Sequence, residues 1–215
     1  MPYIHGVAED SATGLLAELF AADRKSWGYL PNLATTFGIR PEVYQAWRQL
    51  NGAIKANMDQ RRYELVTVAA AIALRSSYCS LAHGRMLADG LMSEEDVIGL
   101  VTDPDSDALD PVDRAVISLA RKIVGEAADL GDEDIVALRE CGLSDEEIFD
   151  VILAAAARCF FSKTLDATGT AADSAFAELS PQLRDALTVG RPIDADGPAQ
   201  ASNAVLSQHG PSSGG

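Results

Sequence analysis

Residues 62–84 read Arg62-Tyr63-Glu64-Leu65-Val66-Thr67-Val68-Ala69-Ala70-Ala71-Ile72-Ala73-Leu74-Arg75-Ser76-Ser77-Tyr78-Cys79-Ser80-Leu81-Ala82-His83-Gly84. The stretch from Asp59 to Leu74 predicts a very apolar helix, and Ser76 to Gly90 a second that ends at glycine, as a C-terminal cap does. Ser76 or Ser77 suits the N-cap. Cys79 then falls in the first turn, where unpaired N–H groups and the helix dipole favour a thiolate. His83 lies one turn on along the same face, where an imidazole can take the thiol proton directly or through a water. Glu64 stands near the start of the preceding helix. In one straight helix it would be more than roughly 20 Å from Cys79 at ~1.5 Å per residue, so a place beside His83 requires a break near Ser76. A cysteine on an alanine-rich helix is also often a small buried hydrophobe, and a lone histidine often structural. Spacing alone leaves both readings open.

Working outward, helices are expected over Ser11–Trp27, with Leu15, Leu16, Leu19 and Phe20 at helical spacing, and over Pro41–Ala56, with proline harmless in the first turn. Between them Gly28–Gly38, with Pro31 and Asn32, reads as a loop. Ser93-Glu94-Glu95-Asp96 opens a helix with acids where its dipole favours them. Asp103–Asp110 is an acidic linker. Helices follow over Pro111–Ala128 and Asp132–Cys141, the latter stopped by Gly142. Ser144-Asp145-Glu146-Glu147 fits a capping box for a helix reaching about Phe161. Phe160-Phe161 reads as core, and Trp27 and Tyr29 as pocket or interface residues. No strand pair is visible, so the expected class is all-α. Shifting Glu64–His83 by 83 positions lays it on Glu147–Asp166, with Val68 on Val151, Ala71 on Ala154 and Arg75 on Arg158. A true duplication would pack two similar helical hairpins about a pseudo-two-fold axis.

The 215 residues suit one domain, expected over 1–188, with a Gly/Pro/Ser-rich tail over 189–215 expected to be disordered. A net charge of −15 argues against sequence-independent nucleic-acid binding and against anionic membrane surfaces. Cys79, Cys141 and Cys159 are too few and too irregular for a disulfide framework and read as thiols in a reducing compartment. With no secretory signal or spanning run visible, a cytoplasmic setting is expected. No cofactor fingerprint, Gly-rich phosphate loop or Ser-His-Asp set appears. Cys79 and His83 offer a metal only two ligands where structural zinc needs four, so neither cofactor nor metal is expected.

The order Glu64, Ser76-Ser77-Tyr78-Cys79, His83-Gly84 resembles the signature of the carboxymuconolactone decarboxylase/alkylhydroperoxidase D-like superfamily, particularly its peroxidase-related branch. Gly28-Tyr29-Leu30-Pro31-Asn32-Leu33 resembles the Pro-Asn motif upstream, and Leu138-Arg139-Glu140-Cys141-Gly142-Leu143-Ser144-Asp145-Glu146-Glu147-Ile148 the family's Gly-Leu-Ser-Asp segment. The similarity covers about residues 28 to 170. It implies an AhpD-like helical bundle built from a repeated helical hairpin and assembled as a homo-oligomer, often trimeric or hexameric. It implies that Cys79 is the thiol that attacks peroxide and that His83 and Glu64 form the proton relay. Ser76 replaces the resolving cysteine, and Tyr78 stands where some peroxidatic members have histidine; both are carried as supporting residues. The expected function is therefore a thiol-dependent peroxidase-like oxidoreductase with one active-site cysteine, acting on a small-molecule peroxide and regenerated by an external thiol reductant. Cys159, which the internal shift lays on Ser76, is a candidate resolving partner, as is Cys141. The alternatives are a decarboxylase-like enzyme using Glu64 and His83 on a small organic acid, and a non-catalytic oligomeric binding protein.

Overall fold

The computed structural model describes residues 2–107 and 109–194. Among the described residues there are ten α-helices, and the one β-type pairing is an isolated bridge between Ala172 and Ile193. They are α1 (Gly14–Trp27), α2 (Asn32–Phe37), α3 (Pro41–Ala56), α4 (Gln60–Ala73), α5 (Ser77–Ala88), α6 (Glu94–Thr102), α7 (Pro111–Glu126), α8 (Asp132–Glu140), α9 (Asp145–Thr168) and α10 (Pro181–Leu187). No described helix is long and apolar enough to cross a membrane.

α4 is the axis of the bundle. Tyr63 through Ala71 are buried without a gap, so the helix shows apolar residues on every side, as a fully enclosed helix must. It packs against α5, α7 and α9, and its alanines allow the close approach. The Asp59 side chain caps its start by accepting the Arg62 N–H at 2.9 Å. Its end carries a hydrogen-bond pattern that closes helices on a left-handed residue: Arg75 N–H donates to Ile72 O at 2.9 Å and Ser76 N–H to Ala71 O at 2.9 Å. Arg75 itself occupies that left-handed position, with φ 56°, where glycine is usual. Here is the break that a partnership of Glu64 with His83 requires. The chain reverses, and α5 returns along α4.

The expected loop at Gly28–Gly38 contains α2, whose Leu33, Ala34 and Phe37 are buried. Short apolar residues after Pro31 gain a tertiary face that local composition does not reveal. The capping box at Ser144 forms in both directions, Glu147 N–H to Ser144 Oγ and Ser144 N–H to Glu147 Oε2, but α9 runs on to Thr168 rather than stopping near Phe161. The internal similarity therefore lays a hairpin on an unbroken helix: the chain turns at Arg75 and stays helical through Arg158. Phe161 is core, whereas Phe160 is 47% exposed, the two side chains leaving the helix about 100° apart.

The ordered chain continues past the expected boundary at 188. Gly190 N–H donates to Ser77 Oγ at 2.8 Å, Asp194 N–H to Ala172 O at 2.8 Å, and Ser80 Oγ to Leu187 O. A strap thus lies across the first turn of α5. From residue 195 on, the expected disorder falls outside the described residues.

Candidate active site

α4, α5, α9 and the end of α3 contribute one cluster of polar side chains inside the bundle. Glu64 projects from α4 and is completely buried. One carboxylate oxygen lies 2.5 Å from His83 Nδ1 on α5, and the other accepts from Lys55 Nζ at 3.2 Å. Burial alone would raise the Glu64 pKa, but His83 and Lys55 outweigh it and hold the carboxyl below its ordinary range. The ionised carboxylate requires a proton on Nδ1, which leaves the Nε2 lone pair as the basic position of the ring. Burial pushes His83 below its usual pKa; Glu64 opposes this, while Arg158 and Lys55 reinforce it. The imidazole is thus neutral at neutral pH and suited to accept a proton.

Cys79 sits in the first turn of α5, as its spacing from Ser76 predicts, and is 2% exposed. Among the described contacts its sulfur meets Arg158 rather than the imidazole: Nη1 of Arg158 lies 3.7 Å from Sγ. Nη2 of the same guanidinium reaches the Tyr63 hydroxyl at 3.4 Å, and that hydroxyl donates to Asn51 Oδ1 at 2.8 Å. The Tyr63 ring stands edge-on to His83, with centroids 6.1 Å apart, so one α4 side chain bridges the two halves of the cluster. The Arg158 guanidinium also lies over the rings of Trp47 and Phe161, at 5.7 and 5.4 Å. Burial would lower its pKa, but Cys79, Tyr63 and Glu64 outweigh that and hold it above the ordinary value.

Of the expected site residues, Glu64 and His83 are bonded, and Cys79 joins them through Arg158 and Tyr63. Ser76 and Tyr78 lie elsewhere. Ser76 is fully buried facing Asp166 on α9. Tyr78 points to the opposite side of α5, donating its hydroxyl to Asp173 Oδ2 at 2.5 Å and accepting the Leu33 N–H at 3.2 Å. Asp173 also accepts from Asn32 N–H at 2.7 Å and from Tyr29 hydroxyl at 3.3 Å, so the Pro-Asn segment is tied to α5 through one buried carboxyl. Burial pushes that carboxyl up to about 6, against the Asn32, Tyr78 and Tyr29 donors. Tyr29 therefore serves this network.

Cys79, Cys141 and Cys159 are all free thiols. Cys141 follows α8 with its thiol against Pro111 O, and Cys159 leaves α9 about 100° away from the Arg158 side chain that reaches Cys79. Arg158, Tyr63, Lys55, Asn51 and Asp173 were not singled out by motif. For Arg158 a signal existed: it is the one cation in the run from Ile152 to Phe161, a place where an unsatisfied charge would not survive.

Residues 41–122, spanning α3 to most of α7, match the carboxymuconolactone decarboxylase family. No curated protein sequence matches the chain. Among solved structures, the alkylhydroperoxidase AhpD core of a peroxidase-related protein from Ralstonia eutropha JMP134 superposes with a TM-score of 0.75 at 20% identity, over 81% of this chain and 94% of that one. A peroxidase-related protein from Silicibacter sp. TM1040 gives 0.71 at 18% identity, over 81% and 94%. The debrominase Bmp8 gives 0.71 at 18% identity, over 86% and 97%. At such identities the superpositions establish the shared fold. The chain thus has the AhpD-like all-α fold, and the segment that carries Glu64, Cys79 and His83 is similar to the carboxymuconolactone decarboxylase family.

Proposed function

We propose that the protein is a thiol-dependent, peroxidase-like oxidoreductase that works with one cysteine. The observation that carries this reading is the sulfur of Cys79 against the Arg158 guanidinium, one helical turn before a neutral imidazole oriented by a buried carboxylate. In the reaction, His83 accepts the thiol proton and the sulfur attacks the terminal oxygen of a hydroperoxide. The O–O bond breaks, the sulfur becomes a sulfenic acid, and the departing alkoxide takes the proton back from the imidazolium. Two equivalents of an external thiol then restore Cys79, releasing water and a disulfide. An external reductant is required because serine occupies position 76 and the Cys159 side chain is turned away. The reading places the protein in the reducing cytoplasm as a homo-oligomer, a trimer or hexamer. Exposed Val43, Leu50 and Phe160, contiguous with Trp47, offer an apolar face for such assembly.

Peroxide consumption by wild type and Cys79→Ser, with dithiothreitol as electron donor, tests the reading. Consumption by the wild type that is lost in the variant supports it; equal rates reject it. A second reading, acid–base chemistry on a small organic acid by Glu64 and His83 with Cys79 as lining, is favoured by the greater exposure of His83, whose side chain is 16% exposed. Turnover of such an acid that survives in Cys79→Ser would select it. The tribromopyrrole found with a cysteine-to-alanine variant of Bmp8 is a third substrate to include in the same assay.

A further inference from the structure

Arg158 is 3% exposed, and its guanidinium always carries charge. Buried cations are normally paired with a carboxylate, because the alternative leaves a charge without compensation in a medium that solvates it poorly. Among the described residues no carboxylate forms an ion pair with it. Glu64, which acts on it from a distance, is already engaged by His83 and Lys55. With Glu64 ionised and Lys55 and Arg158 charged, the cluster holds one positive charge in excess. Among the described residues, the ionisable groups that the guanidinium contacts are the Tyr63 hydroxyl and the Cys79 thiol, and the Arg158 Nε–H has no hydrogen-bond partner.

We infer that Arg158 is a catalytic residue whose guanidinium is the charge partner of the Cys79 sulfur. It balances the negative sulfur before attack and retains a free donor for oxygen as the O–O bond breaks. The inference rests on the peroxidase-like reading for its reaction, but the charge pairing itself does not. The competing role is packing: the guanidinium lies over Trp47 and Phe161, and its aliphatic stem fills space in α9's buried face.

The two are separated by labelling the full-length chain with iodoacetate, which is anionic, and iodoacetamide, which is neutral. The rate at Cys79 is followed by peptide mass spectrometry in wild type, Arg158→Lys, Arg158→Met and Cys79→Ser. Both reagents meet the same sulfur, so their ratio reads the local positive charge alone. Wild type should favour iodoacetate over iodoacetamide relative to the same cysteine in the urea-unfolded chain. Arg158→Met should lower that ratio about tenfold, the scale of one hydrogen bond to a charged group, and Arg158→Lys should keep it. Peroxide consumption should fall in Arg158→Met and recover in part with Lys. A native ratio no greater than the unfolded one overturns the pairing without any variant, and so covers the case in which Arg158→Met fails to fold. Failure of native Cys79 to react with either reagent overturns it too. If Cys79→Ser loses peroxide consumption while Arg158→Met keeps it, the catalytic role falls and the sulfur chemistry stands. If Cys79→Ser consumes peroxide normally, the sulfur chemistry falls, and the labelling ratio still decides the pairing.

Discussion

Glu64 Oε2 lies 2.5 Å from His83 Nδ1 across a separation of 19 residues, and the left-handed turn at Arg75 brings them together. The carboxylate fixes which ring nitrogen carries the proton, and it also raises the imidazole pKa against burial, the larger influence, which lowers it. The pair thus orients His83, while burial keeps the ring neutral.

Replacing Glu64 with Gln removes the charge while keeping an oxygen near Nδ1. Turnover at neutral pH should fall about a hundredfold, the lower end of general acid–base contributions. The acidic limb of the pH–rate profile should move to lower pH, because the partner that raises the His83 pKa is gone while burial remains. The sign for stability is the same: a histidine whose folded pKa is depressed contributes stability above its unfolded pKa of 6.5 and loses it as pH falls. Steady-state rates between pH 5 and 8 check this, and a limb that shifts upward would contradict the assignment.

Asp173 works in the opposite sense. Its folded pKa of about 6 exceeds the ordinary 3.8, so the folded state holds a proton the unfolded chain has already lost. Its contribution is fully present below pH 3.8 and is lost as pH rises through about 6. The stability advantage of wild type over Asp173→Asn should therefore shrink by about 2 kcal/mol between pH 4 and 7, on the scale of ~1.4 kcal/mol per unit. Urea titrations of both proteins at four pH values test it. A constant difference would mean that Asp173 is ionised throughout.

The turn into α5 permits two substitutions with opposite effects. A Cβ on Gly190 would stand 2.0 Å from Arg75 O, a backbone atom that cannot step aside cheaply. Gly190→Ala should cost about 1–3 kcal/mol, as overpacking does, and loosen the first turn that carries Cys79. Arg75→Gly, at φ 56° on an exposed side chain, should instead gain about 1 kcal/mol by relieving the left-handed strain. Thermal melts report both: a fall for the first and a rise of about 2–4 °C for the second.

The cluster was partly legible beforehand. Cys79 and His83 share a face because one helix carries both, and Glu64 needed only a helix break, whose approximate place Ser76-Ser77 marked. Tyr78 lies apart from the Glu64–His83 pair because motif position places a side chain along the chain but not on a side of the helix; its ring turns toward Phe176 and Asp173. Arg158 stands out as a lone cation in an apolar run, but its partner was out of reach because Arg158 comes from α9, 79 residues beyond Cys79, and no local pattern couples those positions.

By itself the sequence determined most of the helices, the capping box at Ser144 and the placing of thiol and imidazole one turn apart on α5, since these depend on spacing and on residues within one or two turns. Only the tertiary structure decided the rest. It left α9 unbroken where the repeat suggested a hairpin, drew residues 189–194 across the first turn of α5, buried Cys79, and set a guanidinium against its sulfur. Those outcomes depend on which helices share a buried face, where a charge must find its partner among residues far away in the chain.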